Sequence, residues 1–362
     1  MTFFISISGK KNMNVSSLLI KWYHNNKRDL PWRLSQNPYH IWISEIILQQ
    51  TRVNQGLQYY CRFIRKYPDI QDMADAPLDE ILKLWQGLGY YSRARNMHLT
   101  AKQIVKEFDG RFPSTYDSLI KLKGIGKYTA AAIASMAFNE PVAVVDGNVY
   151  RVISRIYAVS EPITSTAGKK LFESLAGELL NTLDPATHNQ AMMEFGALVC
   201  VPRNPDCLSC VLAEGCMARE MNLVHELPVK KVRQATRMRY FNYLVIKNKD
   251  HILIRKRNEK DIWNSLYEFP MIETPEPVSF DELRQKSPWD KLTWHAGQVE
   301  EPVVTYNHKL SHQTLICSFF KADSGKLPEP DGGEYIRVNL NDIKEYAVPK
   351  VIERFLEEME KT

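Results

Sequence analysis

The sequence predicts a multidomain protein, an all-α domain followed by a smaller α+β domain. Three observations carry this. Across residues 16–221 apolar side chains recur at i, i+3 and i+4, the helical period, and few stretches alternate every second residue. At "HELPVKKVRQATRMRY" (225–240) the texture turns basic, gains a proline and loses core periodicity, as a linker does. Beyond it, short apolar runs bounded by turn residues read as strands. A length of 362 residues suits two domains better than one.

The elements follow in order. Residues 1–13 carry an apolar patch ahead of their charges, the wrong order for a secretory signal, and are expected to form a disordered extension with Met13 as a second candidate start. No apolar run approaches the ~20 residues that span a bilayer, so the expected location is the cytoplasm. The helical domain is expected over 14–224. Its helices read as "SSLLIKWYHNN", "HIWISEIILQQT", "LDEILKLWQGLGYYSRARNMHLTAKQIVKEF", "YTAAAIASMAF", "NVYRVISRIYAV" and "GKKLFESLAGELLNTL", with prolines between or at the head of them. A basic linker is expected over 225–238 and the second domain over 239–362. There "YFNYLVIKN", "HILIRKR", "PVVTYNHKL", "TLICSFFKA" and "EYIRVNL" read as strands, "NKD" and "DGG" as turns, and "FDELRQK" and "VPKVIERFLEEMEKT" as helices. The net charge of +5 permits a polyanion partner without demanding one.

Four of the six cysteines crowd together as C-x6-C-x2-C-x5-C: Cys200, Cys207, Cys210 and Cys216. In a reducing compartment disulfides are a poor explanation. Thiolates bind zinc or iron–sulfur clusters, and zinc modules usually show two close pairs. Here only Cys207 and Cys210 form one, and no histidine joins them. Ligands strung along one loop suit a 4Fe–4S cubane; zinc is the alternative. Such a loop closes the helical domain and places Arg203 and Arg219 where they can face a partner.

"LKGIGKYTAAAIAS" (122–135) is a glycine hairpin opening into a helix. Gly124 and Gly126 allow a ligand to come close to the backbone. The helix start behind them offers free N–H groups and a positive dipole end to one phosphate oxygen. Lys121, Lys123 and Lys127 add charge. A plain helical corner is the competing reading.

Two carboxylates stand out. Glu45 lies in "HIWISEIILQQT" with no lysine or arginine three or four residues away. Apolar company raises a carboxyl pKa, which is how a general acid is made. Asp146, in "VAVVDGNVYRVISR", ends an apolar run just ahead of a helix, a favoured N-cap position where backbone N–H groups keep a carboxylate ionised. One acid pushed toward neutrality and one kept charged is a pairing suited to breaking a C–O or C–N bond at a sugar carbon.

Taken together, "LPWR", "SEIILQQT", "GLGYYSRARN", "LKGIGKYTAAAIAS", "VDGNVYRV", "NQAMMEFGALVC" and the cysteine spacing resemble the adenine DNA glycosylases of the MutY family, in the helix-hairpin-helix superfamily. The resemblance covers nearly the whole chain. It implies a helical glycosylase domain with a 4Fe–4S loop and a Nudix-like C-terminal domain that binds 8-oxoguanine. It implies a monomer acting at the nucleoid on double-stranded DNA with adenine opposite 8-oxoguanine or guanine, and no membrane. Carried over, Glu45 protonates adenine at N7 and Asp146 stabilises the oxocarbenium-like sugar. Tyr128 packs beside the target nucleotide and hydrogen-bonds near the aspartate, and Asn148 supports the site. Gln50, Leu48 and Tyr90 wedge into the duplex, offsetting part of the unstacking cost. Arg33, Arg93, Gly124, Gly126 and Lys127 contact DNA. Related enzymes that also cut the strand have a lysine where Tyr128 stands, which implies a monofunctional enzyme here. A Nudix catalytic glutamate pattern is missing. The family's Phe-Ser-His lesion reader is matched by Ser311 and His312, while Leu310 replaces the aromatic residue.

Overall fold

The computed structural model describes residues 14–230, 237–286, 296–299, 302–324, 327 and 335–359. The expected extension 1–13, linker residues 231–236 and the "DGG" turn lie outside the described residues. The chain divides into two compact units, 1–75 with 99–232, and 76–98 with 233–362.

That division differs from the expected one. Residues 76–98 group with the C-terminal portion because their polar side chains find partners there. Asp79 accepts Lys256 Nζ at 2.5 Å and the Tyr267 hydroxyl at 3.0 Å, and Gln86 Nε2 donates to Glu353 at 2.8 Å. The start of the expected linker is also docked rather than loose. Leu227 is buried and its carbonyl accepts Arg155 Nε at 3.2 Å, while Ile163 N donates to the Val229 carbonyl at 3.4 Å.

The first unit is helical. It holds α1 (Val15–Asn26), α2 (Pro38–Leu48), α3 (Val53–Lys66), α4 (Ile70–Asp75), most of α6 (Ser92–Phe108), α7 (Tyr116–Leu119), α8 (Lys127–Phe138), α9 (Gly147–Ile156), α10 (Thr166–Leu179), α11 (Pro185–Leu198) and α12 (Met217–Glu220). Side chains of Asn14, Asn37, Thr115, Asp146, Ser165 and Asp184 cap their helices, each worth about 1 kcal/mol. Leu19 and Tyr23 of α1, Val152 and Ile153 of α9, Phe172 of α10 and Phe195 of α11 form one core. Helix α3 escapes the sequence reading because its buried stripe is Gly56, Tyr60 and Phe63, with polar residues between. No described helix is long and apolar enough to cross a membrane.

The second unit opens with α5 (Leu78–Trp85) and carries, among the described residues, an eight-stranded mixed sheet: β1 (Arg237–Asn248), β2 (His251–Lys256), β3 (Tyr267–Glu268), β4 (Met271–Thr274), β5 (Ala296–Val299), β6 (Val304–Lys309), β7 (Gln313–Ser324) and β8 (Tyr335–Asn339). Long β1 and β7 pair in parallel at its centre, from Arg237 opposite Gln313 to Lys247 opposite Asp323. Strand side chains alternate between faces. Phe241, Tyr243 and Val245 enter one core with α14 (Lys350–Met359), and Leu244 and Ile246 enter another with α13 (Phe280–Arg284). Both faces are therefore covered. Strands β6 and β7 form a hairpin with Lys309 opposite Thr314, and this register puts Ser311 and His312 at its tip.

The β2–β3 loop holds two non-glycine residues in the left-handed region, Trp263 (φ 60) and Ser265 (φ 66). Such backbone is strained for an L side chain. Ser265→Gly is expected to stabilise the chain by about 0.5–1 kcal/mol, read as a higher urea midpoint. An unchanged midpoint would show that no strain resides there.

Candidate active site

Helix α2 is apolar almost all round: Tyr39, Ile41, Trp42, Ile43, Ile46 and Ile47 are buried, as suits a helix enclosed by others. Glu45 sits among them at 7% exposure. Burial pushes its carboxyl up to about 7. A hydrogen bond from the Tyr128 hydroxyl and the charge of Arg33 restrain that rise, and nearby Asp146 adds to it. Tyr128, expected to hydrogen-bond near the aspartate, donates its hydroxyl to Glu45 Oε2, with Met193 Sδ 3.8 Å away. The second position of α8 puts it there, while Lys127, one residue earlier, is exposed and ion-paired with Glu173 at 2.9 Å.

Asp146 caps α9. Its Oδ1 accepts the backbone N–H groups of Asn148 at 2.8 Å and Val149 at 2.7 Å, and Oδ2 accepts Asn148 Nδ2 at 2.8 Å. The strand-like approach to it is pinned by Asn189, which accepts Val144 N at 3.0 Å and donates to the Val142 carbonyl at 2.8 Å. Arg151 Nη2 donates to Asn148 Oδ1 at 2.8 Å and to the Gly196 carbonyl at 2.6 Å. Gly196 is needed for that approach: a Cβ there would lie 2.7 Å from Asn148 Cβ. The sequence suggests a carboxylate held fully ionised. Instead burial pushes the Asp146 carboxyl above its ordinary value, outweighing the N–H groups, Asn148 and Arg151, which all pull it down.

The facing wall contains an ion triad that sequence reasoning missed. Glu194 of α11 is 1% exposed and takes bidentate pairs from Arg28 (2.8 and 2.6 Å) and Arg33 (2.9 and 2.8 Å). Burial opposes its charge, yet the two guanidinium groups hold it at about 2. Arg33, expected to contact DNA, gives its guanidinium to Glu194 and the Arg28 carbonyl. The signal available was a carboxylate inside the apolar run "AMMEFGAL", the same signal that marks Glu45. Glu194→Gln is expected to cost about 2–4 kcal/mol, because it leaves two cations without their counter-charge and Arg28 is partly solvated. Equilibrium urea unfolding checks this. The native contribution is present above pH ~4.5, the unfolded value, and is lost as pH falls through about 2.

Glu45, Tyr128, Asp146, Asn148, Arg33 and Glu194 line one cavity of about 330 Å³. Among the described residues lining it there is no lysine. The volume suits a small ligand or a single base.

The other expected contacts fall on both units. In the first, Gly124 has φ 79, a turn that only glycine makes without strain, and Gly126 caps α8 with open space around it. Leu48 packs on Gly56, and Gln50 follows α2 as an exposed residue at φ 60. In the second, Tyr90 is 44% exposed at φ 48, and its hydroxyl hydrogen-bonds Ser311. His312 is exposed, while Leu310 is half-buried against the domain core. Arg93, also expected at DNA, is held within the unit. Its guanidinium lies 5.0 Å from the Trp85 ring and donates to the Leu88 and Gly89 carbonyls at 3.3 Å, so it braces the turn, and burial lowers it to about 10.

A model of the HhH-GPD superfamily base excision DNA repair protein matches residues 43–177, and a NUDIX domain model matches 242–358. An adenine DNA glycosylase of Buchnera aphidicola subsp. Baizongia pistaciae is 35% identical over 356 residues, covering 95% of this chain and 96% of that protein. The chain belongs to the adenine DNA glycosylase family. The human family member is 43% identical over 211 residues, 56% of this chain and 39% of its own. Among solved structures, a thermostable thymine-DNA glycosylase aligns at TM-score 0.53 and 31% identity over 57% of this chain and 95% of that one. An endonuclease III–DNA complex shares the fold at TM-score 0.50 and 23% identity, over 57% of this chain and 94% of that one.

The cysteines of this glycosylase lie in one loop after α11. All four are half-buried, and burial together with the neighbouring thiols of Cys200, Cys216 and Cys207 pushes Cys210 up to about 11. Buried Arg155 donates to Cys200 Sγ at 3.3 Å. The thiols are thus mutual neighbours beside a cation, as a thiolate-bound group requires. Among the described residues, however, no three or more side chains close into a metal-ligand set.

Proposed function

We propose that this adenine DNA glycosylase hydrolyses the N-glycosidic bond of adenine paired with 8-oxoguanine or guanine, leaving an abasic site without cutting the strand. The observation that carries the reading is a carboxyl raised to about 7 by burial, sharing one cavity with an N-capping carboxylate. Glu45 gives its proton to N7 of adenine, so the base leaves neutral. Asp146 faces the sugar carbon and offsets its developing positive charge, worth most in a cavity closed to water. Asn148 and Arg151 fix that carboxylate in place. Tyr128 orients Glu45 and, having no amine, forms no Schiff base with the sugar.

Cys200, Cys207, Cys210 and Cys216 would hold a 4Fe–4S cluster, which would supply a rigid closure of the loop. Cys210→Ser is expected to lower bound iron and the melting temperature together. Iron and sulfide analysis of the purified chain checks this, and native protein free of both would remove the cluster from the reading.

The test of function is a duplex with one adenine opposite 8-oxoguanine. Incubation followed by alkali should nick the strand at the adenine, and incubation alone should not. Borohydride should trap no protein–DNA adduct. A strong adduct would make the enzyme a lyase, and absence of the alkali-dependent nick would overturn the substrate.

A further inference from the structure

Within the second unit, Tyr90 and the hairpin tip bearing Ser311 and His312 border a cavity of about 450 Å³. Tyr90 stands in a turn at positive φ, and the tip is closed by Leu310 N to the Gln313 carbonyl at 2.8 Å and held by Arg237 N to the His312 carbonyl at 3.4 Å. The strained β2–β3 loop reaches both. Arg95 Nη1 donates to the Asn264 carbonyl at 2.6 Å, which ties the loop to the helix that follows Tyr90. On the other side the Trp263 ring lies 5.7 Å from His308, three residues before Ser311. Asp261 accepts Arg239 Nη2 at 2.6 Å, and Arg239 Nη1 continues to Gln313 Oε1 at 3.3 Å, on the far side of the tip.

The loop itself is fixed from within. Arg257 Nε donates to the Ile262 carbonyl at 3.0 Å, Ser265 N to the Arg257 carbonyl at 2.7 Å, and Asn264 Nδ2 to the Glu259 carbonyl at 2.9 Å. Arg257 is in turn held by fully buried Glu268 at 3.1 Å. Two residues in an unfavourable backbone region persist only where the surroundings over-determine them, and such strain gathers at functional sites. Here the surroundings are an arginine–carboxylate lattice whose free ends are the two segments flanking the cavity.

We infer that the β2–β3 loop is a strut that supports the direct hydroxyl contact between Tyr90 and Ser311, with Arg95 and Trp263 as positioning residues for reading the base opposite adenine. This rests on the proposed 8-oxoguanine reading. Arg95 acts through a carbonyl and Trp263 through a ring, so neither has to touch the lesion to alter how well it is distinguished from guanine.

The experiment measures single-turnover adenine release from two duplexes, adenine opposite 8-oxoguanine and adenine opposite guanine, and takes the ratio of rates. Arg95→Met and Trp263→Ala are each expected to lower that ratio about tenfold, the loss of one well-placed hydrogen bond at the reader. Trp263→Phe keeps a ring against His308 and should restore most of it. Should Trp263→Ala fail to fold, Arg95→Met alone decides. A proportional loss on both duplexes, as for an arginine that merely holds phosphate, overturns the strut, as does an unchanged ratio. Ser311→Ala is measured alongside. If it lowers the ratio while the two strut variants do not, the strut fails and the lesion reading stands. If Ser311→Ala leaves the ratio alone, the lesion reading at this hairpin fails.

Discussion

Glu45→Gln is expected to slow adenine release by about 10²–10⁴-fold, the usual contribution of a positioned general acid. Glutamine keeps the shape of the side chain and still accepts the Tyr128 hydroxyl, so what is removed is the proton. The native rate should fall about tenfold per pH unit above about 7, where burial has placed this carboxyl. In the glutamine variant that limb should vanish. The same burial makes a stability prediction of definite sign. The folded value is raised above the ordinary 4.5, so the stabilising contribution is full below that pH and is lost as pH rises through about 7. At pH ~8 the glutamine variant should therefore be more stable than the native chain by about 1–3 kcal/mol, and near pH ~4 the two should agree. Calorimetry at both values checks it. A variant of native rate removes Glu45 as the acid, and one less stable at the higher pH removes the desolvation that defines its role.

How much of this is legible in the sequence depends on how local the cause is. The cap at Asp146 follows from its own neighbours in the chain, and the backbone bonds to Asn148 and Val149 are the ones a helix start dictates. The raised pKa of Glu45 follows from its apolar helix. The register of β6 and β7 follows from two alternating runs separated by a short polar tip. What stays hidden depends on long-range pairing. Arg28 and Arg33 look like free basic residues until Glu194, more than 160 residues away, folds against them. Arg93 looks available for phosphate until Trp85 and the Leu88 carbonyl are seen to hold it. Residues 76–98 read as part of the helical domain because their periodicity is helical. Periodicity reports secondary structure and not which partner supplies Asp79 with a lysine.

Asp146→Asn is expected to reduce adenine release by about 10³-fold or more while leaving the fold in place. Asparagine is as good an N-cap as aspartate, so the bonds to the Asn148 and Val149 N–H groups can persist. Its amide must turn one donor toward Asn148 Nδ2, itself a donor 2.8 Å from the present oxygen, so Asn148 has to swing away from Arg151. That rearrangement should cost about 1 kcal/mol of stability, a small effect beside the loss of rate. The large effect comes from charge. A buried carboxylate opposite a sugar cation acts in a medium of low dielectric, where each unit charge counts for far more than in water. Both carboxyls are raised by burial; two backbone N–H groups, the Asn148 amide and Arg151 draw Asp146 back down, and the Tyr128 hydroxyl and Arg33 do the same for Glu45. A reaction that needs Asp146 ionised and Glu45 protonated predicts a rate that falls on both sides of an optimum. The acid limb belongs to Asp146 and the limb above about 7 to Glu45. Duplex affinity should survive the substitution, so binding and single-turnover release measured on the same preparation separate the two. Release within about tenfold of native by a folded, DNA-bound Asn variant is incompatible with a carboxylate at the sugar.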